Sequence, residues 1–184
     1  MKTKLIGTLA IVAALALAAC GSDEETPAAS GGSGNATDRA FVADMLPHHE
    51  SAIEMAEIAQ ERGTSEFVKT LAGNIIETQS DEIETLKAED AGLADEGVEV
   101  GDLGVPDHMM GMSMDTASLR TAEPFDEAFL NMMIPHHEGA VPMAEVELDK
   151  GADPELIELA EQIISTQEEE ITQMESELGG ASAP

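Results

Sequence analysis

Four of the five histidines lie in two adjacent pairs, and methionines flank each pair at a fixed spacing. The first pair, His48 and His49, has Met45 before it and Met55 after it. The second group follows 88 positions later with the same spacing: Met133, His136, His137 and Met143. Imidazole with thioether favours Cu(I), and imidazole with carboxylate also suits Cu(II). These eight residues are the predicted metal ligands. The alternatives are structural hydrogen bonding by the histidines and core filling by the methionines.

Polar side chains recur at matching positions on the predicted core face of the helices that follow the histidines. Gln79 and Glu82 follow the first pair, and Gln167 and Glu170 follow the second. Because a buried polar group is costly unless it is paired, we expect these side chains to hold the imidazoles and fix their tautomers. The residues directly after the histidine pairs are candidates for the same role or for ligation: Glu50 and Glu138.

A third group of soft ligands lies between the two histidine motifs. It has one histidine and four methionines close together: His108, Met109, Met110, Met112 and Met114. Glycine and proline around them indicate a loop. We expect an accessory set of metal ligands that loads or covers the main site. An apolar cover over one end of the domain is the alternative.

The 88-residue offset continues without a gap into the following helix, which indicates one helical hairpin used twice. Apolar periodicity predicts four helices: from Thr37 or Asp38 to Arg62, from Ser65 to Lys87, from Phe125 to Lys150 and from Asp153 to Leu178. Pro47 should kink or restart the first helix, and Pro135 and Pro142 should make the third irregular. The predicted fold class is all-α, a four-helix bundle whose two histidine pairs face one shared interior.

The predicted organisation is a leader, a tether and one helical domain. Lys2 and Lys4 precede a short apolar run that ends at Cys20, which indicates a lipoprotein signal peptide over residues 1–20. A signal peptide without lipidation is the alternative. Residues 21–37 indicate a flexible tether. The domain spans residues 38–178, with repeats at about 38–88 and 124–178, a connector at about 89–123 and a tail at 179–184. We expect an extracytoplasmic protein, lipid-anchored to the cell membrane or envelope.

Charge and cysteine content exclude several classes of function. Eight Lys and Arg against 38 Asp and Glu give a formal net charge of −30, which disfavours nucleic acid as a partner. A single cysteine excludes an intrachain disulfide and a thiolate metal cage. No catalytic motif is present, so no catalytic residue is predicted. The Glu-x-x-His spacing of di-iron bundles is also absent.

The blocks MLPHHE at residues 45–50 and MIPHHE at residues 133–138 resemble the bacterial family called domain of unknown function 305. The resemblance covers about residues 38–178 and includes the Gln and Glu positions of both repeats and the Met-rich stretch. It implies a ferritin-like four-helix bundle, usually exported, with some members that bind copper and are linked to copper tolerance. Ser51, where the family usually has Gly, and Pro142 depart from the pattern, so equal affinity of the two sites is not expected.

Three functions fit these observations. The preferred one is an exported, lipid-anchored protein that sequesters or delivers copper, or another transition metal, through His and Met ligands. The alternatives are a ferritin-like metal-dependent oxidoreductase and a metal-free helical interaction module with structural histidines. The expected partners are a metal ion and a membrane.

Overall fold

Four long helices make up most of residues 34–181, the part of the chain that the structure, a computed structural model, describes. They are α1 Ala36–Arg62, α2 Glu66–Asp95, α3 Phe125–Lys150 and α4 Pro154–Ala181. Two short 3-10 helices, Asp107–Met109 and Thr116–Thr121, lie in the connector between α2 and α3. Cys20, the predicted signal peptide and most of the predicted tether lie outside the described residues. Within those residues, no helix is long and apolar enough to cross a membrane.

The helices pack as two hairpins whose first members face each other. The most extensive contacts are α1 with α2, α3 with α4, and α1 with α3, so the two histidine-bearing helices are central neighbours. No strand occurs in residues 34–181. The predicted all-α bundle is therefore confirmed.

Two apolar clusters fill the interior. The Phe129 cluster lies at the end where α1 turns into α2. It includes Leu71 and Ile75 of α2, together with Leu119 of the connector. The Phe41 cluster, at the opposite end, includes Leu86, Leu156 and Ile163. Full burial of one such side chain contributes about 1.5–3 kcal/mol to the free energy of unfolding. Along both α1 and α3, the buried histidines lie between residues of one cluster and residues of the other, so the polar layer that they form separates the two apolar ends.

Several helix ends differ from the sequence predictions. The side chain of Asn35 caps α1 by accepting from the Thr37 N–H at 2.6 Å, so Thr37 and Asp38 lie inside the helix. α2 continues eight residues beyond Lys87, because Leu93 extends its buried face by two turns from Leu86. α4 likewise continues past Leu178 to Ala181. The helices run unbroken through their prolines, so the predicted restart at Pro47 is not observed.

A carboxylate in α3 holds the turn between α1 and α2. Asp126 accepts hydrogen bonds from the backbone N–H of Thr64 at 2.8 Å and of Ser65 at 2.8 Å. Its other contact is with the Thr64 hydroxyl, which donates at 2.7 Å. These hydrogen bonds lower the pKa of Asp126, although partial burial opposes the shift. The second hairpin therefore fixes the turn of the first.

The reciprocal contact joins α1 to the turn between α3 and α4. Asp38 is fully buried and accepts from the N–H groups of Ala152 and Asp153, each at 2.9 Å. All three residues of this contact lie 88 positions from their counterparts around Asp126. We call the two contacts the Asp38 clamp and the Asp126 clamp. Together they fix how the two hairpins lie against each other.

Two arginines hold the connector against the hairpins. Arg39 contacts Asp90 at 2.8 Å and donates to the Val98 carbonyl at 2.6 Å. Arg62 donates to the carbonyl oxygens of Leu119 and Ala122. The connector is thereby fastened at both of its ends.

Candidate metal centre

The four paired histidines meet in the interior between α1 and α3. Each is at most 1% exposed. The rings of His48 and His136 are adjacent, with centroids 3.9 Å apart and an interplanar angle of 37°. Within each pair the centroids are farther apart, at 6.1 Å for His48 and His49 and at 6.3 Å for His136 and His137. The structure brings both predicted pairs into one layer, the imidazole layer, with His48 and His136 at its centre.

Oxygen acceptors face the Nε2 atoms of three of these imidazoles. His137 Nε2 lies 2.7 Å from Glu170 Oε2, and His49 Nε2 lies 2.8 Å from Glu82 Oε2. His49 and Glu82 are close enough for an ion pair, but their atoms are not aligned for a hydrogen bond. His48 Nε2 lies 2.9 Å from the backbone oxygen of His136. An Nε2–H that donates to oxygen leaves the lone pair on Nδ1.

The remaining nitrogen atoms of the layer are buried without a hydrogen-bond partner. They are Nδ1 of all four histidines and Nε2 of His136. A buried polar atom without a partner costs about 1–3 kcal/mol, so several together are expensive for a purely structural core. A bound metal ion would satisfy such nitrogens as ligands.

Burial keeps the two central imidazoles neutral. Burial, reinforced by the neighbouring His49, lowers the pKa of His48 to about 3. Burial and the nearby His48 lower the pKa of His136 well below its usual value. Neutral imidazole is the form that binds a metal. The central pair therefore has lone pairs available across the ordinary pH range.

Gln79 and Gln167 are buried beside this layer, each 2% exposed. Each lies one turn before the carboxylate of its own helix, Glu82 or Glu170. Neither Gln hydrogen-bonds an imidazole, and Gln79 Oε1 and both amide atoms of Gln167 have no hydrogen-bond partner. We expected both the glutamines and the glutamates to contact the histidines, but only Glu82 and Glu170 do so.

The four predicted methionine ligands are fully buried, but they group across the repeats. Met45 packs in the Phe41 cluster with Met143, whereas Met55 packs in the Phe129 cluster with Met133. Met45 and Met133 each precede their histidine pair by one helical turn. Met55 and Met143 lie two turns beyond, about 10 Å along the axis. One thioether of each repeat is thus well placed beside the imidazoles, and the other belongs to the adjoining core.

Glu50 and Glu138 are exposed, which corrects the expectation that they contact the imidazoles. Glu50 Oε1 instead lies 3.8 Å from Lys87 Nζ on α2. Glu138 lines a surface cleft under the connector. A residue that directly follows a core-facing histidine is turned by about 100° around the helix axis, which explains both positions.

The Met-rich stretch lies on the surface against α3, apart from the buried layer. His108, Met109 and Met112 are exposed, and Met110 and Met114 are half-buried. The apolar cover expected as the alternative is only partly formed, since Met109 remains 49% exposed.

Sequence reasoning missed one buried acid, Glu147, which is 0% exposed. Burial raises its pKa to about 9, with further contributions from its hydrogen bond to Asp38 and from the charges of Asp38 and Asp153. Glu147 is therefore protonated at neutral pH and can donate to Asp38. The equivalent residue of the first repeat is Ala59. The sequence carried one signal of this buried acid: at equivalent positions on the core-facing side of the helix, the first repeat has alanine and the second has glutamate.

Residues 34–181 contain no three His, Cys, Asp or Glu side chains that converge as a ready-made metal cage. The donors available at the imidazole layer are thus pairs of imidazole nitrogens, with thioether sulfur one turn away. That set suits a soft cation better than a hard one.

The sequence pattern of the family described as domain of unknown function (DUF305) matches residues 16–90 and 38–178. The chain belongs to this family. Among solved structures, CopM in the Cu(I)-bound form is 35% identical with a TM-score of 0.68, over 79% of this chain and 98% of CopM. CopM is also known in Cu(II)-bound and Ag-bound forms.

Two further DUF305 structures have the same fold. A fragment from Deinococcus radiodurans is 38% identical with a TM-score of 0.65, over 78% of this chain and 95% of the fragment. A protein from Streptomyces coelicolor, described as secreted, is 27% identical with a TM-score of 0.68, over 80% of this chain and 95% of that protein. No curated protein gives a significant match.

Proposed function

We propose that this DUF305 protein is an exported, lipid-anchored copper-binding protein that sequesters or delivers copper through the imidazole layer. The observation that carries the proposal is the set of buried imidazole nitrogens without hydrogen-bond partners, with oxygen acceptors on the opposite ring nitrogen of three histidines. This arrangement resembles the way proteins orient histidine ligands for a metal.

The residue types favour copper over harder metals. Neutral imidazole binds Cu(I) and Cu(II), and a thioether at Met45 or Met133 biases the choice toward Cu(I). Glu170 accepts a hydrogen bond from His137, and Glu82 places its negative charge 2.8 Å from His49 Nε2. Both carboxylates raise the basicity of the ring nitrogens that face inward. The metal is the cargo of the protein, and we propose no catalytic activity for the chain.

Similar proteins support the choice of metal. CopM, which aligns over 79% of this chain, binds Cu(I), Cu(II) and Ag in its solved forms. Ag(I) is a soft cation like Cu(I), so a protein that accepts both uses soft or imidazole ligands.

The test is a Cu(I) competition titration against a chromogenic chelator under reducing conditions. Wild type is compared with the His48→Ala/His136→Ala variant, which removes the central ring pair. A fall in affinity of at least tenfold is expected, together with the loss of the rise in melting temperature that Cu(I) gives the wild type. Met174→Leu is the matched control, because Met174 is a buried methionine on α4 outside the layer. Equal affinity in the histidine variant would leave the histidines structural.

The anchoring proposal depends on the sequence Leu17-Ala18-Ala19-Cys20 after a basic start and a short apolar run. A lipidated cysteine supplies membrane affinity of about 0.8 kcal/mol per buried CH₂. Cys20→Ser should release the protein from the membrane fraction or leave it unprocessed. Unchanged processing and fractionation would contradict lipidation. The related Streptomyces coelicolor protein, described as secreted, supports export.

A further inference from the structure

We propose that the cleft between the connector and α3 is a second, solvent-accessible site for a soft monovalent cation, Cu(I) or Ag(I), and that it loads the imidazole layer. The loading role rests on the function proposed above, whereas binding in the cleft does not depend on it.

The cleft has a volume of about 450 Å³ and carries soft donors on one wall. His108, Met109 and Met114 line it from the connector, and Glu138 lines it from α3. One imidazole and two thioethers are a ligand set that favours Cu(I) or Ag(I) over Mg²⁺, Ca²⁺ or Zn²⁺. The carboxylate of Glu138 can balance the positive charge of the ion.

The exposure of these ligands distinguishes the cleft from ordinary core packing. Methionine side chains in a hydrophobic cover are normally buried, but Met109 is 49% exposed and His108 is also exposed. By contrast, Met45, Met55, Met133 and Met143 are all 0% exposed. The fold thus separates one set of accessible soft ligands from one set of buried soft ligands.

Pro142, which lines the cleft, leaves one backbone carbonyl of α3 without its helical donor. A proline has no N–H, so the carbonyl of Glu138, four residues earlier, lacks its usual helical donor. Pro142 and Glu138 both line the cleft. The equivalent residue in the first repeat is Glu54, which has an N–H. A carbonyl without its helical donor at this position therefore occurs in the second repeat and not in the first.

Two glycines allow the backbone of the connector to contact the backbone of α3 directly beside the histidine pair. A Cβ at Gly139 would overlap the backbone of Met110 and Gly111, so the connector crosses α3 in direct contact. Gly111 has a φ of 69°, and a Cβ there would lie 2.8 Å from the His136 carbonyl oxygen. The same oxygen lies 2.9 Å from Nε2 of His48. Movement of the connector at Gly111 is thereby coupled to the atom that holds a central imidazole.

The formal net charge of −30 supports capture of cations at such an exposed site. A strongly negative surface raises the local concentration of positive ions and their rate of encounter. A surface site with accessible ligands would bind quickly and release quickly, and the buried layer would exchange slowly.

The experiment uses Ag(I) on the purified full chain, with bound metal counted after dialysis and release followed by stopped-flow transfer to a thiol chelator. The cleft variant is His108→Ala/Met109→Ala/Met114→Ala. The control is Val100→Ala, because Val100 is an exposed apolar residue of the same connector that lies outside the cleft lining. Circular dichroism and the melting temperature of the metal-free proteins show whether each variant is folded.

We expect the wild type to release Ag(I) in a fast and a slow phase. The cleft variant should lose the fast phase and keep the slowly released Ag(I), but it should load this Ag(I) at least tenfold more slowly. Val100→Ala should behave like the wild type. The His48→Ala/His136→Ala variant should lose the slow phase alone. A cleft variant with unchanged stoichiometry and rates would overturn the inference and leave the proposed function intact. Loss of the slow phase in the cleft variant would also overturn it, because the two sites would then not be separate.

Discussion

The two repeats agree where they build the interior and differ where the connector passes. Both contribute a histidine pair, a carboxylate that contacts the outer histidine, and an Asp clamp to the opposite turn. Three differences are informative: Ser51 against Gly139, Glu54 against Pro142, and Ala59 against Glu147. The first two lie under or beside the connector, and the third adds an acid to the Asp38 clamp.

In the second repeat the connector backbone lies directly against the helix that carries the histidine pair, and a second carboxylate, Glu147, joins the clamp. The first repeat holds the connector through the side chains of Arg39, Arg62 and Glu54. Gly139 allows a backbone contact that a serine, the residue at the equivalent position 51, would prevent. Glu54 accepts a hydrogen bond from the Thr116 hydroxyl, near the end of the connector, at 3.1 Å. The imidazole layer is therefore nearly two-fold in its residues but asymmetric in its surroundings. Three pairs of substitutions and one single substitution test these differences between the repeats.

The largest effect on stability is expected at the clamps. Asp38→Ala removes the acceptor of three backbone N–H groups, those of Asn35, Ala152 and Asp153. Because the contact with Asp153 is buried, the change should lower the free energy of unfolding by about 3 kcal/mol. Asp126→Ala should cost about 1 kcal/mol, because its turn is more exposed and water can replace the carboxylate. Urea unfolding measures both. Equal losses would mean that burial does not distinguish the two clamps.

The next effect is on copper affinity. Glu82→Gln and Glu170→Gln each keep the shape of the side chain but remove the charge that supports the outer histidine of one repeat. Each should weaken Cu(I) binding by about tenfold or more. Glu170→Gln should have the larger effect, since only that contact is aligned as a hydrogen bond. Competition titration checks the order, and two unchanged affinities would exclude a supporting role.

Exchanging the residues at positions 51 and 139 tests the connector contact. Gly139→Ser places a Cβ against the backbone of Met110 and Gly111 and should destabilise the fold by about 1–3 kcal/mol. Ser51→Gly, the matched change in α1, should cost less than about 1 kcal/mol through helix propensity alone. Thermal unfolding of the two variants gives the comparison. A neutral Gly139→Ser would show that the connector does not need this close approach.

The smallest effect at neutral pH is expected for Glu147→Gln, because glutamine mimics the protonated form of this side chain. The pKa of Glu147 is raised to about 9 in the folded state against 4.5 in the unfolded chain, so the folded state binds more protons between these values. Its contribution to stability is complete below pH 4.5 and is lost as pH rises toward 9. Glu147→Gln should flatten the decline of the unfolding free energy between pH 7 and 9. If the unfolding free energy declined equally in variant and wild type, a group other than Glu147 would be responsible for the pH dependence.

The sequence predicted the helices, the shared histidine interior and the contacts of Glu82 and Glu170, because repeated periodicity reports which helix face is buried. It did not predict how the methionines group, since Met45 joins Met143 only through the packing of α1 against α3. It also missed Glu147, because an acid in the core is tolerated only beside a partner from another helix. Helix ends were the least certain, and the continuation of α2 to Asp95 depends on the tertiary burial of Leu93.

Binding of a soft metal ion in the imidazole layer is tested most directly by a crystal structure of the protein grown with Ag(I), with silver located by its anomalous scattering. We expect a silver peak within the imidazole layer, bonded to inward-facing nitrogens of the histidine pairs, with His48 Nε2 still near the His136 carbonyl oxygen. A well-ordered crystal in which silver is bound only at the surface, and the four imidazoles have no silver beside them, would contradict it.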